Sequence, residues 1–290
     1  MQPTSFSRAK IRALIAEGEY ALADGPHPER ARLDAEALLL HVLGKSISWL
    51  LAHSEEQLPN AEASRYNELL ERRYRGEPIQ YIVGETEFYG LPFRVTTDVL
   101  IPRPETEHLV EKALELAARF PAPRIVDVGT GSGCIAVALA HHLPHAQITA
   151  IDLSAPALAV ARQNAGRNGV SSHIRFLEGD LLAPVAGEHF EIVASNPPYV
   201  PLADRATLAV EVRDHEPALA LFAGDDGLEI YRRLIPAAFA ALIQGGFLAL
   251  EIGFGQSEAI AALLAASAFR QIEFIPDLQS IPRVVCAQHP

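Results

Sequence analysis

From Pro123 onward, short apolar runs alternate with segments in which apolar residues recur at helical spacing. The short runs indicate β-strands. We predict strands near 124–128, 147–152, 173–178, 190–195, 246–252, 270–275 and 282–287. Strands that alternate with helices form a mostly parallel sheet with helices on both faces. The pattern therefore predicts a doubly wound α/β fold with a seven-stranded sheet, in which ligands bind at the carboxyl ends of the strands.

The first part of the chain has a different pattern. At 290 residues the chain exceeds the usual size of one domain, so a second domain is expected. Apolar residues recur at helical spacing at Ile11, Leu14 and Ile15. Later, β-branched and aromatic residues are punctuated by Gly84 and Pro92, which favours a hairpin. We expect three parts, which are a small helical N-terminal domain (1–76), a β-hairpin linker (77–103) and the α/β domain (104–290).

The composition is that of a globular protein with an acidic surface. Hydrophobic residues make up 49% of the chain and charged residues 21%, which is typical of a packed domain. The net charge of −12 argues against a general nucleic-acid binder, because such a protein needs a basic surface to displace counterions from phosphates. We therefore expect no direct contact with nucleic acid.

Cysteine content and hydropathy bear on the cellular environment. Cys134 and Cys286 are the only cysteines, too few for a disulfide framework or a cysteine zinc site. We expect a reducing, cytoplasmic environment and no bound metal, and no secretory signal is visible in the first 25 residues. The uncharged stretch 234–250 approaches membrane length, but Pro236 and Gly245 interrupt it. We predict a helix, a turn and a buried strand there rather than a membrane span.

A glycine-rich turn follows the first predicted strand of the sheet. Gly129, Gly131 and Gly133 have the spacing G-x-G-x-G, and a helix is predicted to begin near Cys134. Dinucleotide-binding proteins favour G-x-G-x-x-G, whose third glycine is missing here because position 134 is cysteine. No Lys-Ser or Lys-Thr pair follows, so the turn is not a P-loop. The pattern indicates a ligand-binding turn, and a tight turn without a ligand is the alternative.

Acidic residues follow the next two predicted strands. Asp152 lies 25 positions after Asp127, near the spacing at which dinucleotide-binding proteins carry an acid that bonds ribose hydroxyls. Ser154 as an N-cap and Gly169 as a C-terminal stop define the helix that follows. Asp180 follows the third strand and could accept a hydrogen bond from an adenine amine. Alternatively, Asp152 is a solvated acid at a strand end and Asp180 belongs to a turn.

The fourth predicted strand ends at Ser195 and is followed by Asn196-Pro197-Pro198-Tyr199. Two prolines cannot continue a central strand, so the chain turns out at the carboxyl edge. The Asn196 amide oxygen and the Pro197 carbonyl can accept both hydrogens of an NH₂ group, while Tyr199 stacks on its planar carrier. These bonds favour a pyramidal nitrogen and stabilise positive charge as a methyl group arrives. The motif indicates methylation of an amide or amine nitrogen, and a proline-rich turn is the alternative.

Several motifs along the chain together indicate a protein family. They are Gly84-Glu-Thr-Glu-Phe-Tyr-Gly90, Val99-Leu-Ile-Pro-Arg-Pro-Glu-Thr-Glu107, Asp127-Val-Gly-Thr-Gly-Ser-Gly133, Ser195-Asn-Pro-Pro-Tyr199, Glu216-Pro217 and Glu251-Ile-Gly253. With them, essentially the whole chain resembles the release factor glutamine methyltransferases, the protein-(glutamine-N5) methyltransferase family of class I S-adenosylmethionine-dependent methyltransferases. The Ile-Pro-Arg-Pro-Glu-Thr-Glu run is more specific than Asn-Pro-Pro-Tyr, which other amine methyltransferases share. One departure is Ser280, where the family pattern leads us to expect glycine before Arg283.

The resemblance implies a Rossmann-like methyltransferase domain, S-adenosyl-L-methionine as the cofactor and a role in translation termination. The substrate would be the glutamine of the Gly-Gly-Gln motif in peptide chain release factors, recognised with the help of the helical domain. Residues 88–103 would line the mouth between the domains. The expected cofactor-binding residues are Asp127, Gly129, Thr130, Gly131, Gly133, Asp152, Leu153, Asp180, Leu181 and Asn196. The expected substrate-binding residues are Phe88, Arg103, Glu105, Asn196, Pro197, Pro198 and Tyr199, of which Asn196, Pro197 and Tyr199 are expected to be catalytic.

Other interpretations stay open. An adenine or guanine methyltransferase acting on DNA or RNA would use the same Asn196 chemistry on a flipped base, but it needs a basic groove, which the net charge of −12 does not favour. A non-catalytic protein that kept the fold is a second alternative. Arg103 and Glu105 could form a surface ion pair instead of contacting substrate, and Glu251 could be purely structural.

Overall fold

The computed structural model describes residues 10–290. Contacts divide the described residues into two compact units, one formed by residues 10–84 with Ala209–His215, the other by Glu85–Leu208 with Glu216–Pro290. These units differ from the three predicted parts, since residues 77–84 of the expected linker belong to the first unit and residues 85–103 to the second.

The helices and strands of the described residues are numbered in chain order. The helices are α1 (Ile11–Leu22), α2 (Ala31–Leu43), α3 (Ile47–Ala52), α4 (Asn60–Tyr74), α5 (Ile79–Val83), α6 (Thr106–Ala117), α7 (Cys134–His142), α8 (Ala155–Arg167), α9 (Val210–His215), α10 (Glu229–Ala241) and α11 (Ser257–Ala266). The strands are β1 (Glu85–Phe88), β2 (Leu91–Arg94), β3 (Arg124–Val128), β4 (Gln147–Asp152), β5 (Ile174–Glu178), β6 (Phe190–Ser195), β7 (Leu242–Glu251), β8 (Arg270–Pro276) and β9 (Pro282–Gln288).

The first unit is helical, which confirms the predicted helical N-terminal region. Its core includes Leu14, Leu38 and Tyr66, all buried. The predicted hairpin begins too early, because residues 79–83 form α5 rather than strand. This short helix starts after Pro78 and ends at Gly84, whose φ of 82° is the left-handed conformation of a helix stop.

A buried ion-pair cluster fastens α9 to the rest of the first unit. Arg73 on α4 is 3% exposed, and its Nε donates to Asp34 Oδ2 on α2 at 2.6 Å. Its Nη1 donates to Glu211 on α9 and to the Glu77 carbonyl. Removing one partner of such a buried pair leaves an uncompensated charge, so the cluster holds α9 although 135 or more residues separate it from α4 in the chain.

The second unit contains the predicted seven-stranded sheet, in the order β5-β4-β3-β6-β7-β9-β8. The five strands from β5 to β7 are parallel, and β9 pairs antiparallel with both β7 and β8. The central strands are apolar on both faces, as at Ile125, Val126, Ile192 and Val193, because helices cover both sides. The predicted fold class and all seven predicted strand positions are confirmed.

The order of the strands decides where a ligand can bind. The chain runs outward from β3 through β4 to β5 and then returns to place β6 on the other side of β3. A crevice opens at the carboxyl ends of the strands where the connection order reverses. The ends of β3 and β6 are therefore neighbours, and Ser195 Oγ donates to the Val128 carbonyl at 2.6 Å across them.

The hairpin of β1 and β2 packs on the second unit through two aromatic side chains. Phe88 is 2% exposed and Phe93 is fully buried, and their rings meet edge to face with centroids 5.9 Å apart. Asn164 on α8 binds the backbone of β2, accepting from Arg94 N at 2.7 Å and donating to Arg94 O at 3.0 Å. The hairpin is thus part of the core and not a free linker.

The long uncharged stretch at 234–250 is divided between α10 and β7, close to the predicted division. Across residues 10–290, no helix combines the length and the apolar character that crossing a membrane requires.

Candidate active site

A cavity lies at the carboxyl ends of β3, β4 and β6, within the second unit. Eleven of the sequence-predicted site residues line it. They are Arg103, Gly129, Thr130, Gly131, Asp152, Leu153, Asp180, Leu181, Asn196, Pro197 and Pro198. These residues come from loops that follow four different strands and from the segment before α6, so the sheet topology brings them together.

The glycine-rich turn forms one wall of the cavity, between β3 and α7. Gly129, Gly131 and Gly133 have φ values of 72°, 54° and 81°, a region that side chains with a Cβ rarely occupy. At Gly133 a Cβ would also lie 3.0 Å from the Ala161 Cβ on α8. The turn therefore needs glycine for its conformation and for the close packing of α8 behind it.

Asp152 connects the end of β4 to the glycine turn. Its Oδ2 accepts from Gly131 N at 2.8 Å, and its Oδ1 accepts from Ser154 N at 2.9 Å. Burial raises the pKa of Asp152, and the backbone donors of Ser154 and Gly131 oppose that rise. A carboxylate oxygen has room for about two hydrogen bonds, so each oxygen can still accept from a ligand in the cavity.

Asp127 lies beneath the turn, fully buried at the end of β3. Its Oδ2 accepts from Thr130 Oγ1 at 2.6 Å and from Ala136 N at 3.2 Å. Its Oδ1 is buried without a hydrogen-bond partner among the described residues. Burial raises the pKa of Asp127 to about 7, against the donors that stabilise the charged form. Asp127 thus shapes the turn and keeps one acceptor unsatisfied.

The loop after β5 forms the next part of the wall. Leu181 lies in the left-handed region with a φ of 49°, and Leu153, directly after β4, is 54% exposed. The Asp180 carboxylate pairs with Arg233 on α10. Both members of this pair are about half exposed, so the contact is weak and leaves the Asp180 carboxylate accessible.

The Asn-Pro-Pro-Tyr motif turns out of the sheet after β6, as predicted from its prolines. The Asn196 side chain lines the cavity, and its Nδ2 donates to Thr106 Oγ1 on α6 at 3.1 Å. Tyr199 does not line the cavity, and its hydroxyl donates to Glu251 Oε1 at 3.4 Å. Glu251 ends β7 and is 2% exposed, and Thr106 donates to its Oε2 at 2.6 Å. Thr106 on α6 and Glu251 on β7 are therefore hydrogen-bonded to side chains of the motif.

Comparison with known proteins agrees with this geometry. Residues 13–84 match a family model described as the PrmC N-terminal domain, and residues 106–212 match the methyltransferase small domain. A release factor glutamine methyltransferase of Koribacter versatilis is 42% identical over 92% of this chain and 94% of its own length. Those of Moorella thermoacetica and Deinococcus radiodurans are each 44% identical, over 92% and 96% of this chain and 94% and 98% of their own lengths.

This chain belongs to the release factor glutamine methyltransferase family. It is accordingly a methyltransferase that uses S-adenosylmethionine. Solved structures share the fold at much lower identity. The hMettl16 catalytic domain in complex with an RNA hairpin superposes with a TM-score of 0.58 at 15% identity, covering 87% of this chain and 91% of that one. A T. Thermophilus 16S rRNA methyltransferase gives a TM-score of 0.53 at 16% identity, covering 71% and 50%.

The residues at the cavity fit the cofactor of this family. Asp152 offers acceptor capacity on both carboxylate oxygens for the two ribose hydroxyls, and its geometry is fixed by two backbone donors. The glycine turn lets backbone approach a ligand without a Cβ in the way. Asp127, which was expected to bind the cofactor, is fully buried beneath that turn and does not line the cavity, so it supports the turn from below. The exposed Leu153 side chain supplies an apolar surface beside Asp152.

Several expected site residues lie elsewhere. Phe88 is buried in the core of the second unit, which argues against the expected substrate contact. Glu105 is exposed at the start of α6 and does not line the cavity. Arg103 does line it, and its guanidinium donates to Glu216 rather than pairing with Glu105. Gly133 caps α7 behind the cavity.

Sequence reasoning missed one residue of the site and left another open. Thr106 was not singled out, and the only signal for it was its place in the specific Pro-Glu-Thr-Glu run. Glu251 was considered a structural residue as readily as a functional one, but it bonds both Thr106 and Tyr199. Burial raises the pKa of Glu251 to about 7, while the hydrogen bond from Thr106 opposes that rise.

Proposed function

We propose that this protein methylates the side-chain amide nitrogen of the glutamine in the Gly-Gly-Gln motif of peptide chain release factors. The observation that carries the proposal is the position of Asn196 and Pro197 on the cavity that the glycine turn and Asp152 also line, in a chain of this family. Such a reaction places the protein in translation termination, and we propose the cytoplasm as its location.

The residues of the motif supply what an amide nitrogen lacks as a nucleophile. Its lone pair is delocalised into the carbonyl group, so the nitrogen has to become pyramidal before it can be methylated. In the proposed mechanism, the Asn196 amide oxygen and the Pro197 carbonyl each accept one hydrogen of the glutamine NH₂ group. These bonds orient the lone pair and strengthen as positive charge develops on nitrogen. When bound, the cofactor supplies an electrophilic methyl group on its sulfonium.

No general base is required before the transfer, because the nitrogen proton becomes acidic only afterwards. Both acceptors are held in place by the fold, so little reorganisation is needed during the reaction. Pro197 is buried, and the peptide unit that contains its carbonyl ends on the nitrogen of Pro198, which has no N–H, so this unit presents only an acceptor to the cavity. The site is thus organised around hydrogen-bond acceptors.

The cofactor side of the proposal rests on the β3 and β4 ends. We assign the ribose hydroxyls to Asp152 and the adenine amine to Asp180, with Leu153 and Leu181 against the base. Gly129, Thr130 and Gly131 would contact the remaining part of the cofactor through backbone, above Asp127. The chemistry of these side chains supports the assignment, since carboxylates accept hydrogen bonds from hydroxyl and amine groups.

We further propose that the helical first unit recognises the release factor. A protein substrate needs an extended contact surface, of about 800 Å² per partner in an ordinary complex. The cofactor residues all lie in the second unit, which leaves the first unit without a role in cofactor binding. The match of residues 13–84 to the PrmC N-terminal domain supports this division.

The decisive experiment supplies purified protein with methyl-labelled S-adenosylmethionine and a release factor, followed by mass mapping of the labelled residue. We expect one methyl group on the glutamine of Gly-Gly-Gln and none when that glutamine is replaced by asparagine. Ribosomal RNA and duplex DNA serve as parallel substrates. Label on a base amine, or binding to nucleic acid that weakens steeply with salt, would instead support the nucleic-acid methyltransferase alternative.

A further inference from the structure

A series of polar groups runs from the cavity to the buried end of β7. Asn196 Nδ2 donates to Thr106 Oγ1 at 3.1 Å, and Thr106 Oγ1 donates to Glu251 Oε2 at 2.6 Å. Thr106 and Glu251 are each 2% exposed. The three residues come from three elements, and the chain separates the members of the two pairs by 90 and 145 positions. Only the tertiary structure therefore brings these three residues into hydrogen-bonding contact.

The donors and acceptors in this series leave only one arrangement when Glu251 is ionised. An ionised carboxylate is an acceptor only, so the hydroxyl of Thr106 must give its single hydrogen to Glu251. Towards Asn196, Thr106 then has only lone pairs to offer. The group of Asn196 that faces Thr106 must be its NH₂ group, and the amide oxygen faces away from Thr106.

We propose that Thr106 and Glu251 are positioning residues that hold the Asn196 carboxamide with its oxygen towards the substrate amide. This inference rests on the proposed function, in which that oxygen accepts a hydrogen from the glutamine NH₂ group. The reversed carboxamide would present its own NH₂ group to the substrate NH₂ group, two donors facing each other. The two orientations have nearly the same shape, so packing alone cannot select between them.

Hydrogen bonds from neighbouring elements stabilise the ionised form of Glu251. Tyr199 donates to Glu251 Oε1 at 3.4 Å, so both carboxylate oxygens receive a hydroxyl hydrogen. Tyr231 on α10 donates to the Glu251 backbone carbonyl at 2.7 Å. The titratable groups with an electrostatic or hydrogen-bonded influence on Glu251, or influenced by it, are Glu105, Cys134, Tyr199, Tyr231 and Arg283.

Protonation of Glu251 would reverse the direction of the hydrogen bonds between Glu251, Thr106 and Asn196. A proton on Oε2 would be donated to Thr106, whose own hydrogen would then turn to the Asn196 side and attract the amide oxygen. Burial raises the pKa of Glu251 to about 7, with Glu105 adding to that rise and Arg283 opposing it. The ionised, active arrangement is thus present above this pKa and is lost as the pH falls through it.

The first test compares two substitutions of Thr106. Thr106→Val keeps the shape and removes the hydroxyl, whereas Thr106→Ser keeps the hydroxyl and removes a methyl group. For methylation of release factor, we expect Thr106→Val to lower kcat about tenfold or more, with KM and cofactor affinity changed less than about threefold. Thr106→Ser should restore kcat to within about threefold of wild type. Equal losses for the two variants, or a kcat for Thr106→Val within about threefold of wild type, would overturn the proposal.

The second test examines Glu251 through the pH dependence of kcat. As the pH falls through about 7, the wild-type kcat should fall about tenfold or more and then level off at the rate of the form in which Glu251 is protonated. Glu251→Gln cannot ionise, so its kcat should stay flat across that range. Asp127 also has a pKa raised to about 7, so an acid limb that persists in Glu251→Gln belongs to another group and overturns the role of Glu251.

Two further measurements separate this inference from the proposed function. In an Asn196→Ala background, Thr106→Val should lower kcat by less than about a further twofold, because a residue that acts through Asn196 then has no side chain left to position. The NMR signals of the Asn196 side-chain NH₂ group, identified by their loss in Asn196→Ala, should shift in Thr106→Val and stay in Thr106→Ser. This readout does not need turnover. If the wild type methylated no release factor, the proposed function would fail while the NMR comparison would still test the orientation of Asn196, and unshifted signals in Thr106→Val would overturn it.

Discussion

Asp152 illustrates how one side chain serves both the fold and the ligand. It fixes the glycine turn through Gly131 and starts α8 beside Ser154, and it keeps acceptor capacity for the cofactor. The same carboxylate would thus both shape the glycine turn and bind the cofactor. Its substitution tests both roles.

We predict that Asp152→Ala lowers the affinity for S-adenosylmethionine at least tenfold. Each charge-assisted hydrogen bond to a ribose hydroxyl is worth roughly 1.5–3 kcal/mol, and the turn also loses its anchor at Gly131. Isothermal titration calorimetry measures the affinity, and Asp180→Ala serves as a comparison at a more exposed position. An unchanged affinity for Asp152→Ala would remove this residue from the cofactor site.

Asn196 is the residue on which the proposed chemistry depends. We predict that Asn196→Ala lowers kcat on the order of 10²–10³-fold, by analogy with the loss of one preorganised group, and leaves cofactor affinity nearly unchanged. Asn196→Asp should not restore activity. It would set a carboxylate oxygen against Thr106 Oγ1, whose hydrogen is already given to Glu251. A kcat for Asn196→Ala within about threefold of wild type contradicts the mechanism.

Ser280 shows how a sequence departure appears in the backbone. Glycine was expected at this position, and Ser280 has a φ of 64°, in the left-handed region that favours glycine. Its amide donates to the Asp277 carbonyl within the turn between β8 and β9. The turn is thus retained with a residue that adopts this conformation less readily than glycine.

Among the elements, β2 and α8 are joined through the buried side chain of Asn164. Asn164 is fully buried and exchanges two hydrogen bonds with the backbone of Arg94, as a neighbouring strand would. Its Nδ2 also donates to the Ser132 carbonyl at 2.8 Å, just before α7. One carboxamide therefore connects the hairpin, α8 and the glycine turn.

We predict that Asn164→Ala lowers the free energy of unfolding by about 2–4 kcal/mol, because it leaves backbone groups of Arg94 and Ser132 without partners. The matched control is Asn168→Ala at the C-cap of α8, whose side chain donates to the Pro92 carbonyl at a more exposed position. The control substitution should lower the free energy of unfolding by less than about 1 kcal/mol. Chemical denaturation measures both, and similar losses for the two variants would show that Asn164 has no special role.

For the molecule as a whole, the position of the hairpin decides where the chain can be divided. Phe88 and Phe93 belong to the core of the second unit, so a cut at residue 104 removes both. Deleting a buried phenylalanine side chain typically costs about 3–5 kcal/mol, a large part of the stability of a domain. The boundary that respects the core lies between Gly84 and Glu85.

We predict that a fragment of residues 85–290 unfolds cooperatively and binds S-adenosylmethionine, whereas a fragment of residues 104–290 does not fold stably. The longer fragment should methylate release factor at least about tenfold more slowly than the full chain, since it lacks the proposed recognition unit. Thermal unfolding, calorimetry and methylation of the same release factor measure these properties. Full activity of 85–290 would show that the helical unit does not recognise substrate.

The sequence by itself determined the order and type of the elements in the sheet and the place of the two motifs. These features follow from local rules, because apolar runs, glycine spacing and paired prolines constrain the chain within a few residues of themselves. The glycine turn, Asp152 and Asn196 thus lie at the carboxyl ends of β3, β4 and β6, as predicted. The start of the hairpin was wrong because a single turn of helix at 79–83 has no periodicity long enough to distinguish it from a strand.

Only the tertiary structure decided which side chains act together around these motifs. Phe88 is in the core, Arg103 bonds Glu216, and Thr106 connects Asn196 to Glu251. The two hydrogen bonds of Thr106 join residues that are 90 and 145 positions apart, so no local pattern encodes the pairing. Burial then sets the chemistry, because a hydroxyl and a carboxylate removed from water must satisfy one another, and that requirement fixes the direction of each hydrogen bond.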